Sequence, residues 1–187
     1  MKEYDFRFDK ALIQSLIGKK MIKYKHAEFI YTNTVTETLG FEVDNSVFEL
    51  NNDFVKIDYL SIDDEATIFS IFKSNWNKVE SMINDDINET IINEKIKKII
   101  LVNDHTLVNI NEKIEYDMWD TKAIIFFFEN YEICFAKEDC WFSQQIEVYK
   151  GHDLIEKISN GKELVDDFNL RDSKNISVVR FLDEIIK

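Results

Sequence analysis

A chain that echoes itself is expected to use similar segments twice in its fold, unless the echo is a chance product of a low-diversity composition. This chain echoes itself at an offset of 78 residues. Lys19-Lys20-Met21-Ile22 returns as Lys97-Lys98-Ile99-Ile100, Asn33 as Asn111, Glu37 as Glu115, Phe48 as Phe126 and Asn52 as Asn130. From residue 19 to 52 that makes seven identities in 34 positions, with no gap. Val55-x-Ile57 then alternates against Ile133-x-Phe135, and Phe69-x-Ile71 matches Ile146-x-Val148 one residue short. The missing residue belongs in a loop, because a one-residue slip inside a strand exchanges its faces.

A helical pattern precedes each copy. Asp9 is a plausible N-cap for a helix over 9–17, with Leu12, Ile13, Leu16 and Ile17 at helical spacing and Gly18 as the stop. Over 77–94, Val79, Met82, Ile83, Ile87 and Ile91 form one apolar stripe, and acidic residues precede Lys95, Lys97 and Lys98, the order the helix dipole prefers. Strands are predicted at 20–24, 28–32, 35–43, 46–50, 54–60 and 67–73, with Asn51-Asn52-Asp53 as a turn. They recur near 97–102, 106–110, 113–119, 123–129, 131–137 and 144–150. The tail reads as short helices at 162–168 and 176–186, the second with Val178, Leu182, Ile185 and Ile186 on one side.

The resulting expectation is an α+β protein of two related helix-plus-antiparallel-β-meander lobes. Residues 1–75 form lobe one, 76–152 lobe two, and 153–187 a helical tail packed on lobe two as part of one compact unit. Phe126 and Phe128 point into the core of lobe two, while Ile125 and Phe127 make the same strand apolar on its other face. Such a strand is covered on both sides. The tail, through Leu182 or Ile185, is the expected cover for Phe127, and a second copy of the chain is the alternative.

Composition narrows function mainly by exclusion. Thirty-six acidic against 23 basic side chains give a net charge of −13. That disfavours nucleic acid, whose phosphates need an electropositive surface, and anionic membranes as well. It attracts a basic partner instead. No apolar run is long enough to span a bilayer and the N-terminus lacks a signal-peptide pattern, so the expected location is the cytoplasm. The four glycines, at 18, 40, 151 and 161, make neither a phosphate-cradling loop nor a nucleophile elbow. His26, His105 and His152 are scattered, and the oxygen-rich loops lack the calcium ladder, so no metal and no cofactor is expected. Cys134 reads as a small core residue. Cys140 is the better-placed thiol, but Glu138 and Asp139 beside it raise its pKa, and His152 approaches it only if the last strand turns back.

No catalytic residue is therefore assigned. Trp76, Trp119 and Trp141 stand near predicted element ends, and the sequence Glu138-Asp139-Cys140-Trp141-Phe142 puts carboxylates beside two aromatics. Residues Glu138, Asp139, Trp141 and Phe142 are the candidate partner-binding set, since aromatic anchors with surrounding charge mark binding hot spots. The expected function is a protein-binding module, of the bacterial immunity or inhibitor kind, acting on a basic protein. The alternatives are an enzyme or small-ligand binder with a pocket between the lobes, and a structural homodimer subunit.

Overall fold

A computed structural model describes residues 1–27, 34–59, 61–79, 87–138, 143–158 and 174–186. Two β-sheets dominate it. The strands are β1 (Lys2–Phe6), β2 (Lys20–Ala27), β3 (Thr34–Thr36), β4 (Thr38–Val43), β5 (Ser46–Tyr59), β6 (Ile62–Ser74), β7 (Ile87–Lys95), β8 (Lys98–Ile110), β9 (Lys113–Phe127), β10 (Glu132–Lys137), β11 (Gln145–Gly151) and β12 (Lys174–Ile185). One short α-helix, α1 (Lys10–Gln14), and 3-10 turns at Trp76–Lys78 and Leu154–Lys157 complete the described elements.

The five-stranded sheet has the order β6-β5-β4-β2-β7; the seven-stranded one runs β12-β8-β9-β10-β11-β3, with β1 added in parallel to β9. Each sheet contains a four-strand antiparallel meander, β2-β4-β5-β6 or β8-β9-β10-β11. The next long strand, β7 or β12, returns to the free edge of the first. This is a Greek-key return lengthened by one strand.

The α+β expectation is thus overturned, and with it the helix-plus-meander lobes and the helical tail. Residues 87–94 of the expected helix lie in strand β7, and 176–185 of the expected tail helix lie in β12. In both places β-branched residues (Thr90, Ile91, Ile92; Ile176, Val178, Val179) meet an open sheet edge that supplies a full row of backbone partners. Such residues are stiff in a helix and pack well on a pleated surface, so tertiary pairing overrides the helical spacing. The 162–168 helix lies outside the described residues. The expected helix at 9–17 is helical only over Lys10–Gln14, with Asp9 accepting from the Ala11 N–H at 2.9 Å and Gly18 at φ +84°.

The gapless 78-residue correspondence fails as well. Phe48 lies on the third strand of its meander and Phe126 on the second of the other. The hairpin turns fall at 44–45 in one sheet and 128–131 in the other, which is not 78 residues apart.

The sheets pack face to face. Phe41 and Phe48 of the five-stranded sheet stack at 5.5 Å, and Phe41 meets Phe126 at 5.9 Å and Phe135 at 6.4 Å across the interface. Ile13, Leu16 and Ile17 of the α1 region fill the same core, as does Ile185. Phe128 is buried there beside Phe126.

The other side of β8, β9 and β10 is covered too, by the start of the 153–187 tail and not by Leu182 or Ile185 of its strand. Ile100, Val102, Ile125 and Cys134 pack with Leu154 and Ile158, and Phe127 lies half-buried against this cluster with the Lys98 ammonium over its ring. Leu182 is instead 51% exposed, and Ile185 faces the opposite core. Further along this side, Ile57 and Ala66 from the far end of the β5–β6 hairpin pack with Val108, Tyr116, Met118 and Ile176. By alternation Val108 shares its side of β8 with Ile100 and Val102, so the long hairpin touches both sides of the larger sheet.

Gly40 in β4 is required by close approach, because a Cβ there would stand 2.8 Å from Cγ1 of buried Val79. Gly40→Ala should lower the unfolding free energy by about 1–3 kcal/mol through overpacking. Val79→Ala in the same chain should recover part of that loss in urea titrations; strict additivity would refute the contact as the cause.

Candidate functional site

The sequence-derived binding set cannot be assembled from the described residues. Glu138 is half-buried, its N–H donating to the Gln145 carbonyl at 3.3 Å, and Asp139, Cys140, Trp141 and Phe142 lie outside them. Cys134 is fully buried, and burial pushes its thiol pKa up, which makes it inert. His152 is exposed on its own turn. Among the described residues no three His, Cys, Asp or Glu side chains converge as a metal site would need, and no helix is long and apolar enough to cross a membrane.

What the fold does assemble is an aromatic row across the seven-stranded sheet. Asp5, Trp119, His105 and Val179 are directly opposite one another on β1, β9, β8 and β12. Residues opposite in a ladder share a face, so their side chains stand in line. His105 stacks on Trp119 with centroids 4.3 Å apart and planes 10° from parallel. Phe181, one rung along, lies 5.0 Å from Trp119. The Arg7 guanidinium sits over the Trp119 ring at 4.7 Å, held by both oxygens of Asp5 at 2.8 and 2.5 Å. That fork keeps the Asp5 carboxyl below its usual range, chiefly through its hydrogen bonds with Arg7. His105 Nε2 lies 2.7 Å from an Asp117 oxygen, which fixes the imidazole plane against the indole.

The row stays open to solvent. Val179 and Phe181 are 52% and 45% exposed, and Trp119 and His105 are half-buried. On the rung beyond, Glu3 is opposite Asp117, so two carboxylates border the aromatics. At the other end a cleft of about 510 Å³ is lined by Arg7, Phe8, Lys10, Leu101, Asn103 and Asp183, with Lys10 and Asp183 paired at 2.9 Å. Chemically this is a rigid, amphipathic platform with an acidic border, able to pack a partner's apolar groups and stack its cations.

Sequence reasoning singled out Trp119 but missed Arg7, His105, Asp117 and Phe181. The signal was there in part: Val179-x-Phe181 alternates as a strand does. It becomes legible only once the tail is a strand and its register on β8 is known.

A second aromatic cluster is closed on itself. Trp76 carries the Lys23 and Lys25 ammonium groups at 4.0 and 4.8 Å from its ring, and its Nε1–H donates to Glu89 at 2.7 Å. Lys23 also pairs with Glu89 at 2.9 Å, and these contacts, Lys23 first, hold the Glu89 carboxyl below its usual range. The arrangement fastens the 3-10 turn at 76–78 to β2 and β7.

No protein-family model matches the chain, and no solved structure matches it. It is similar to glutamate–tRNA ligase 2 of Thermosipho melanesiensis, with 33% identity over 87 residues. The matched stretch is 46% of this chain and 17% of that protein, so the chain spans about a sixth of the relative's length.

Proposed function

We propose that this chain is a protein-binding module that captures a basic partner protein, in the manner of an immunity or inhibitor protein, through the aromatic row around Trp119. The observation that carries this reading is a stack in which exposed Arg7 and Phe181 flank half-buried Trp119 and His105 on one sheet face, bordered by Glu3 and Asp117, in a chain of net charge −13. Binding hot spots are enriched in Trp and Arg, and an acidic border speeds encounter with a basic surface. The tRNA substrate named for the relative is not carried over, because a −13 chain repels phosphate backbones.

The test is a comparison of baits. Wild-type protein, Trp119→Ala and Asp117→Lys are immobilised and exposed to host lysate, and a basic protein retained by the wild type is identified and titrated. Trp119→Ala should weaken it by about 2 kcal/mol, mainly through faster dissociation. Asp117→Lys should slow association and flatten its salt dependence. Equal retention by all three baits would refute the surface.

A further inference from the structure

We propose that the chain forms a twofold homodimer through the outer edge of β12, joining the seven-stranded sheets of two copies into one continuous sheet. Among the described residues nothing pairs with that edge. The strand runs for 12 residues in unbroken antiparallel register with β8, without proline or bulge. Its outward N–H and C=O groups therefore repeat at the regular pitch that another strand matches.

Side chains at this edge are apolar on both faces, with Val179 and Phe181 exposed on one and Leu182 on the other. The charged residues that blunt a natural edge are drawn back onto the chain itself. Arg180 holds Asp104 through two bonds of 2.7 Å and donates to the Ile158 carbonyl, Asp183 pairs with Lys10, and Glu184 with Lys98. The outer edge of β7, with which no described strand pairs, is built differently: Asn93 interrupts it at φ +58°, amid Glu89, Glu94 and Lys95.

A second copy fits this edge in one register. A twofold axis normal to the sheet places residues of the same face opposite one another, so the axis must pass through a residue position. Centred on Val179, it sets Val179 against Val179, Phe181 against Ser177, Leu182 against Ile176, Arg180 against Val178 and Asp183 against Asn175. No like charges meet, and the row Trp119–His105–Val179 continues into Val179–His105–Trp119 of the second copy. Centring on Arg180 would oppose two guanidinium groups. The dimer does not depend on the partner reading, since a closed edge leaves the sheet face open. The two readings also respond oppositely to salt: each copy carries −13, so added salt screens their repulsion and favours the dimer, whereas it weakens capture of a basic partner.

The experiment uses Cys140→Ser protein, with and without Val179→Cys, Phe181→Cys or Val179→Lys. Light scattering at about 100 µM protein should give twice the 22.2 kDa chain mass, and more completely at higher salt. Directly opposed residues in an antiparallel pair stand about 4.5–5.5 Å apart at Cα, within disulfide range. Val179→Cys should therefore cross-link to double mass on mild oxidation, while Phe181→Cys, displaced from the axis, should not. Val179→Lys should be monomeric at the same concentration, and its unfolding midpoint should equal that of the parent protein once both are diluted to monomers. A monomeric parent protein would overturn the proposal. So would a dimer that survives Val179→Lys, or one that cross-links through residue 181 and not 179.

Discussion

Phe126→Ala should lower the unfolding free energy by about 3–5 kcal/mol, as expected for a fully buried phenylalanine at the contact between the two sheets. Phe126 is 1% exposed and touches aromatic rings of both sheets, Phe41 at 5.9 Å and Phe135 at 5.7 Å. Removing it forfeits the transfer free energy of the ring and leaves a cavity that two rigid sheets cannot close. A small domain is stable by only about 5–15 kcal/mol, so Phe126→Leu, with a smaller cavity, provides a second point if the alanine variant fails to fold. Phe127→Ala, beside it but half-buried on the other face, should cost less than either. Urea unfolding checks the order, and a loss below about 1 kcal/mol at Phe126 would mean that the sheets do not pack there.

The second large effect belongs to an ion pair. Lys137 ends β10 with its side chain 4% exposed; its ammonium donates to Asp120 at 2.5 Å and to the Thr67 carbonyl of β6 at 2.7 Å. The pair thus ties the β5–β6 hairpin to the larger sheet. Burial pulls the Lys137 pKa down while Asp120 opposes the shift, and burial pushes the Asp120 carboxyl up against the pull of Lys137. Lys137→Met keeps the volume but leaves Asp120 without its cation, and should cost about 3–5 kcal/mol near neutral pH. Lys137→Met with Asp120→Leu should cost clearly less than the sum of the two single changes, because neither member of the pair is then left without the other.

The pH dependence has a definite sign. A carboxyl whose folded pKa exceeds its unfolded value of 3.8 binds protons better in the folded state. Its ionisation penalty is therefore absent below the unfolded pKa, grows as pH rises from the unfolded to the folded pKa, and is constant above that. Losing Lys137 widens that window, so the gap between Lys137→Met and wild type should shrink as pH falls towards 4. A gap that is constant with pH would show that Asp120 is not the residue left stranded.

Most strand positions were legible in the sequence because alternation of β-branched and aromatic residues is a local property. Lys20–Ala27, Thr38–Val43, Glu132–Lys137 and Gln145–Gly151 fall close to where that pattern places them. The burial of Phe126 and Phe128 was legible for the same reason. Helical spacing was not sufficient at 87–94 and 176–185. A period near 3.6 can arise by chance in an isoleucine-rich chain, and what decides is whether a sheet edge is waiting.

Three long strands, β5, β8 and β9, were misread as pairs of short ones, each time at polar residues. Asn51-Asn52-Asp53 resembles a turn, yet it lies inside β5, with Asn52 fully buried and its amide donating to the Ser143 carbonyl at 3.0 Å. Asn103 and Thr121 sit mid-strand in β8 and β9, and their hydrogen bond of 2.7 Å, together with that from the Phe8 N–H to Thr121, satisfies them in the interior. The pairing shifts there, Val102 with Ala123 and then Asn103 with Thr121, so Lys122 is an extra residue and a bulge.

The sequence by itself therefore determined which segments are extended and which side chains are apolar enough to form a core. It also set the acidic charge that restricts the partners. Only the tertiary structure decided that polar residues could lie inside strands, because their partners are 18 to 113 residues away. It alone brought Arg7, His105, Trp119 and Phe181 into one row, because strand register is set by the packing of both sheets and not by any segment's own preference.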